Sequence, residues 1–172
     1  MQYEFTLKLS TADADLDQLV ERLGAAGCTD ALAGVGQPGR LALEFTRDAV
    51  SARNAIVSAI EEVKAILPET QLLEVTPDFV GLTEVADLFD VSRQNLRKLR
   101  LKHPLNFPMP VHEGSSSVWH LFPVLHWLRD KAGYAVSGAL LDVAHVAMQI
   151  NLAKESKQIE HPMHEEVREL VA

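Results

Sequence analysis

Cysteine is almost missing from this 172-residue chain: Cys28 stands alone, so no intrachain disulfide can form and a cysteine-rich zinc site is excluded. Basic residues are scarce as well, 16 against 24 acidic ones, which gives a formal net charge of −8. An acidic body of this kind repels nucleic acid at long range. No apolar run approaches the roughly twenty residues that a membrane-crossing helix needs. The opening MQYEFTLKLS alternates polar and apolar residues where a secretion signal shows a basic start and an apolar block. A cytoplasmic protein without membrane contact is the expectation. Hydrophobic content of 47% with 23% charged residues suits folded domains and argues against long disorder. The length allows one ordinary domain or two small ones, and the pattern along the chain favours two.

Residues 1–77 read as alternating strands and helices. In YEFTLKL, Tyr3, Phe5, Leu7 and Leu9 share one face and Glu4, Thr6 and Lys8 the other, the period of a half-buried strand. Leu16, Leu19, Val20 and Leu23 recur at helical spacing, with Gly24 and Gly27 available to stop the helix. A hairpin is predicted for CTDALAGVG and RLALEFT around Gln37-Pro38-Gly39. A second helix then follows, with Val50, Ala52, Ile56, Val57, Ile60, Val63 and Leu67 on one face, ending before Pro68. QLLEVT closes the segment as a strand before Pro77. The order βαββαβ resembles a ferredoxin-like sandwich, which would make the whole chain α+β. That shape carries many functions and says little about this one.

Charge falls unevenly along the chain. Residues 1–77 hold 6 basic and 12 acidic side chains, 78–134 hold 7 and 6, and 135–172 hold 3 and 6. Any contact with phosphates therefore rests on the middle segment. There, VSRQNLRKLRLK (Val91–Lys102) sets Arg93, Arg97, Lys98, Arg100 and Lys102 in a stretch without an acid. Two short helices are predicted, Thr83–Phe89 and Ser92–Leu101, with Thr83 and Ser92 as N-caps. Ala86 is small enough for the helices to cross closely, and Val91, Leu96 and Leu99 form an inward set. Arg93, Gln94, Arg97 and Lys98 are left pointing outward. Arg and Gln can each bond a base edge in two places, and flanking cations can hold phosphates. FPMPVHEGSSSVWHL then reads as a small hairpin with its tip at Glu113–Ser116, and FPVLHWLRDKAGY as a helix ending at Gly133.

On LTEVADLFDVSRQNLRKL, FPMPV, Trp119 and PVLHWL, the stretch Leu82–Leu128 resembles the winged helix-turn-helix domains of the phage excisionase, AlpA and MerR type. The resemblance implies that the second helix enters the major groove of double-stranded DNA while the hairpin wing touches the backbone or minor groove. Carried over by position, Ser92, Arg93, Gln94 and Arg97 face DNA from the helix, and His112, Ser115, Ser116 and Ser117 are wing candidates. Where the family usually has glycine in the turn, this chain has Asp90, a residue that tolerates a left-handed backbone better than most.

Other signals point to ordinary packing. His161 and His164 lie at spacing three in HPMHEE, but Pro162 separates them and no third ligand is at useful spacing, so a solvated tail is expected. His112 and His120 bracket the wing, where both are expected to face solvent. GVGQPG precedes a strand and suits a turn better than a phosphate loop. Trp119 and Trp127 are expected to be mostly buried. No nucleophile, paired acids or metal set at interpretable spacing points to an enzyme, and no cofactor is expected.

Residues 135–172 are predicted as one long helix capped by Ser137, then a mobile or partner-bound acidic tail. Leu140, Val143, Ala147 and Ile150 form a stripe, widened by Leu141, Ala144, Met148 and Leu152, that needs a partner. Pairing between chains of a homodimer is expected, with folding back onto the rest of the chain as the alternative. The expectation for the whole is a sequence-specific DNA-binding protein with three parts: a ferredoxin-like domain (1–77), a winged helix-turn-helix (78–134) and an oligomerisation helix with acidic tail (135–172). The alternative is an adaptor or antitoxin-like protein that holds a partner protein through residues 1–77 or the tail.

Overall fold

The computed structural model describes residues 1–12 and 15–171. Its first unit is a four-stranded antiparallel sheet in the order β2-β3-β1-β4, built from β1 (Gln2–Ser10), β2 (Ala31–Gln37), β3 (Arg40–Asp48) and β4 (Gln71–Thr76). The alternation in β1 sets the register: Phe5 faces Phe45, Leu7 faces Leu43 and Leu9 faces Leu41, so both strands turn their apolar residues to one side. The Phe5 and Phe45 rings stack at 5.2 Å. Against this side lie α1 (Leu16–Ala25), through Leu19 and Leu23, and α2 (Ala52–Ile66), through Ala55, Ile56, Ala59 and Val63. The small residues of α2 let it approach the sheet closely. The β2–β3 turn falls at Pro38-Gly39, where Gly39 takes φ +74, a left-handed conformation that suits glycine.

Arg47 ties the outer part of this unit together. Its guanidinium donates to Asp30 at 2.6 and 3.0 Å, to Glu62 at 2.5 Å and to the Ser58 hydroxyl at 3.1 Å. That joins β3 to the segment before β2 and to α2. The bonded guanidinium holds the Asp30 carboxyl below its ordinary value. Burial, with the neighbouring carboxyls of Glu62 and Asp30, pushes the Cys28 thiol up.

The second unit starts at Asp78. Phe79–Val80 (β5) pairs antiparallel with Trp119–His120 (β6), and between them run α3 (Leu82–Leu88) and α4 (Arg93–Lys102). The strand β6 leads into α5 (Leu121–Ala132), which ends on Gly133 at φ +72. Trp119 and Trp127 are both buried here, in a core with Val85, Ala86, Leu96, Phe107, Leu125 and Leu128. The cap expected at Thr83 is displaced: α3 starts one residue earlier, and the Glu84 carboxyl accepts the N–H of Gly81 at 3.0 Å. An acid three residues after the cap satisfies that orphan donor, which Thr83 is not placed to do.

The long helix α6 (Gly138–Ser156) corrects the oligomerisation stripe. Val143 and Ala147 are buried in the sheet core, Ile150 packs against the same core, and Leu140 packs against the second core with Leu141 and Ala144. Most of the wide apolar stripe is covered because α6 sits in the joint between the two units, while Leu152 near its end stays exposed. Four of the residues assigned to a contact between chains therefore hold one chain together. The tail also differs from expectation, since His161–Leu170 forms a further helix, α7. The side chain of His161 lies outside the described residues. Among those described, no helix is long and apolar enough to cross a membrane.

One polar residue on α6 makes the joint specific. Buried Asn151 accepts the N–H of Val75 at 2.9 Å and donates to the Val75 carbonyl at 2.8 Å, pairing with the outer edge of β4 as a neighbouring strand would. Its amide also donates to Asp78 Oδ2 at 2.8 Å, and Asp78 Oδ1 lies 2.8 Å from His120 Nδ1. His120 is thus a half-buried partner of Asp78, a correction to its surface reading.

Two predictions follow from these contacts. Replacing Asn151 by Leu leaves the Val75 peptide groups and the Asp78 carboxyl short of partners and lowers unfolding free energy by about 2–4 kcal/mol; urea unfolding checks this, and an unchanged midpoint contradicts it. Asp30 has a depressed folded value, so its contribution is complete above its unfolded value of about 3.9 and fades as pH falls through the folded one. The stability gap between the parent and Asp30→Asn is therefore widest near neutral pH and closes below about pH 4.

Candidate nucleic-acid interface

Helix α4 begins because Ser92 accepts the N–H of Asn95 through its side chain at 3.2 Å. Ahead of it, Asp90 takes φ +51, so the turn has the left-handed residue that glycine would otherwise supply. The Val91 N–H donates to the Ala86 carbonyl at 3.1 Å, which closes the turn on the small residue of α3. Leu96 is buried, and Val91 and Leu99 pack at the rim of the same core. This fixes the rotation of α4. Ser92, Arg93, Gln94, Arg97, Lys98 and Lys102 are consequently exposed. Arg100 and Lys102 sit in the last turn, where the helix dipole favours cations.

Opposite α4, the chain makes a short ladder: Val118 donates to the His112 carbonyl at 2.9 Å, and Val111 donates to that of Val118 at 2.8 Å. Residues 113–117 form the loop between. A cleft of about 760 Å³ separates this loop from α4. Arg93, Arg97 and Arg100 line one side, Ser115, Ser116 and Ser117 the other, and Gly81–Glu84 its end. Six of the residues singled out from the sequence therefore meet across one space. Gln94, Lys98, Lys102 and His112 do not line it; Gln94, Lys98 and Lys102 sit on the exposed outer surface of α4, and His112 is exposed at the base of the loop.

Arg100 differs from the other cations. Its guanidinium is 2.5 Å from a Glu113 carboxyl oxygen and lies over the Trp119 ring at 5.1 Å. It links the helix to the loop and is less available to a ligand than its neighbours. Among the described residues, Arg93, Arg97, Lys98 and Lys102 have no ion-pair partner. Sequence reasoning missed Glu113 and Glu84. Glu84 had a legible signal, its place three residues after Gly81; Glu113 had none, because its pairing depends on how the loop folds across α4.

Away from this surface, Cys28, Asp30 and Glu62 bring ligand-type atoms within 4.8 Å of one another. Arg47 already bonds both carboxyls, so a cation stands where a metal would have to enter. No family model, curated protein or solved structure matches the chain.

The energetics of the surface separate its scaffold from its charges. Leu96→Ala opens a cavity beneath α4 and lowers stability by about 2–5 kcal/mol. A double-mutant cycle on Arg100 and Glu113, both partly exposed, gives a coupling below about 1 kcal/mol. Urea unfolding of the four variants tests both values; a small Leu96 effect means that this residue does not set the rotation of α4.

Proposed function

We propose that this chain is a sequence-specific DNA-binding protein, a transcriptional regulator of bacterial or phage type. In this reading residues 82–128 are a winged helix-turn-helix of the excisionase, AlpA and MerR type, with α4 as the recognition helix and residues 111–118 as the wing. The first unit is read as a ferredoxin-like sandwich on its connection order β1-α1-β2-β3-α2-β4 and its strand order.

The observation that carries the reading is the unpaired cationic face of α4 opposite the serine loop, in a chain of net charge −8. A solvated helix face generally mixes acids with its bases, whereas Arg93, Arg97, Lys98 and Lys102 are left without acids beside them on α4. The acidic remainder discourages approach by any other surface, and at contact distance local charge outweighs the total because salt screens beyond about 10 Å. Arg93 and Gln94 near the start of α4 are the base readers, since recognition helices present their N-terminal residues to base edges. Lys98 and Lys102 hold phosphates on the flanks, and Arg97 lines the cleft between α4 and the loop. Arg100 keeps helix and wing at a fixed spacing. A single module of this size has limited affinity, so two copies on adjacent half-sites complete the proposal.

Fluorescence anisotropy on duplexes selected by the protein from a random library tests this. Arg93→Ala and Gln94→Ala each weaken binding to the preferred duplex by about 1–3 kcal/mol and relax the preference. Lys98→Ala weakens all duplexes alike and lowers the salt slope by about one. Full affinity retained by Arg93→Glu/Arg97→Glu rejects the proposal.

A further inference from the structure

Beside the cationic face, the chain leaves an apolar groove uncovered. Its floor and walls are Arg97, Leu101, Pro104, Phe107, Met109 and Pro110, around a space of about 350 Å³. Leu101 is 68% exposed and Met109 78%, and neighbouring Leu105 is 94% exposed. Large aliphatic side chains clustered this openly mark an interaction surface. Unpaired Lys98 and Lys102 stand on the same helix as Leu101.

The second uncovered surface is α7. Met163, Val167 and Leu170 recur at spacings of four and three, which puts them on one helix face. Met163 is 52% and Leu170 76% exposed. Glu166 borders this stripe and Glu165 lies further round, so α7 is an amphipathic helix of acidic character. The two surfaces complement each other in both apolar content and charge, and in the single chain each remains open.

We infer that α7 of one copy docks in the groove beside α4 of a second copy, and that the exchange is reciprocal. Met163, Val167 and Leu170 enter between Leu101, Pro104 and Met109, and Glu166, at the edge of the stripe, comes to the Arg97 wall of the groove. The contact is isologous, so each copy gives a helix and receives one. This assigns the dimer interface to α7 and the 101–110 segment and takes it away from α6, whose Leu140, Val143, Ala147 and Ile150 are covered within the chain.

The test is the mass of the full chain by sedimentation equilibrium in DNA-free buffer, so its outcome is independent of DNA binding. The parent is expected to form a dimer of the 19.0 kDa chain. Met109→Asp and Met163→Asp, both at exposed positions and checked for folding by circular dichroism, are each expected to shift it towards monomer. Mixing the two variants restores part of the dimer, because the intact groove of one meets the intact helix of the other. A parent that stays monomeric, a dimer indifferent to both substitutions, or a mixture no more dimeric than its components overturns the inference. So does a bis-maleimide cross-link in Met109→Cys/Met163→Cys that forms only within single chains, which would mean that α7 covers its own groove.

Discussion

The arrangement of this protein depends on a buried polar node at the joint of its two units. Asp78 is the first residue of the second unit, and its side chain has no exposure to solvent. A buried carboxyl is tolerated only when hydrogen bonds replace water. Asn151 of α6 supplies one, His120 of β6 lies against the other oxygen, and the Asp78 carbonyl accepts the N–H of Leu121 at 2.7 Å. Asn151 in turn completes the edge of β4. Apolar packing alone would allow α6 to slide or rotate between the two cores; the directional bonds at Asn151 select one position. Through β6 and α5 that position is passed to the loop 111–118 and to the core beneath α4.

The joint also accounts for how an acidic chain can present a cationic face. Acids are concentrated in residues 1–77, and several are neutralised locally: Asp30 and Glu62 by Arg47, Glu74 by Lys8 at 2.9 Å, and Glu69 by Arg22. Around α4 the balance is reversed. Ser92 caps the helix without adding charge, Leu96 fixes its rotation, and, among the described residues, the acid ion-paired to it is Glu113, bonded to Arg100. The remaining cations face solvent. Electrostatic recognition in this account is local, and the rest of the chain contributes selectivity by repelling anions from other surfaces.

Much of this was legible in sequence because simple periodicities carried it. QLLEVT is β4 from end to end, the two-residue alternation of YEFTLKL gave the buried face of β1, and Ser92 and Ser137 stand at the helix starts where they were expected. The outward set on α4 followed from the inward set, since Leu96 can be buried on only one side of a helix. What escaped notice depends on long-range partners. A wide apolar stripe says that a helix needs cover but not whose, and α6 finds cover on both sides within its own chain. Asn151 in the middle of that stripe was the available clue, because a polar residue there needs a partner inside the fold. His120 looked like a surface residue since its partner Asp78 is 42 positions away. The tail looked mobile because Pro162 interrupts it, yet proline near the start of a helix is tolerated, and α7 begins there.

The central claim is that the α4 face and the loop opposite it form the surface that meets duplex DNA. A titration of the ¹⁵N-labelled chain with a duplex, followed amide by amide in nuclear magnetic resonance spectra, tests it most directly. The account predicts that the amides of residues 92–102 and 113–118 shift together and saturate together while those on the open face of the sheet stay still. Shifts confined to the sheet, or a spectrum that does not respond to any duplex, would contradict it.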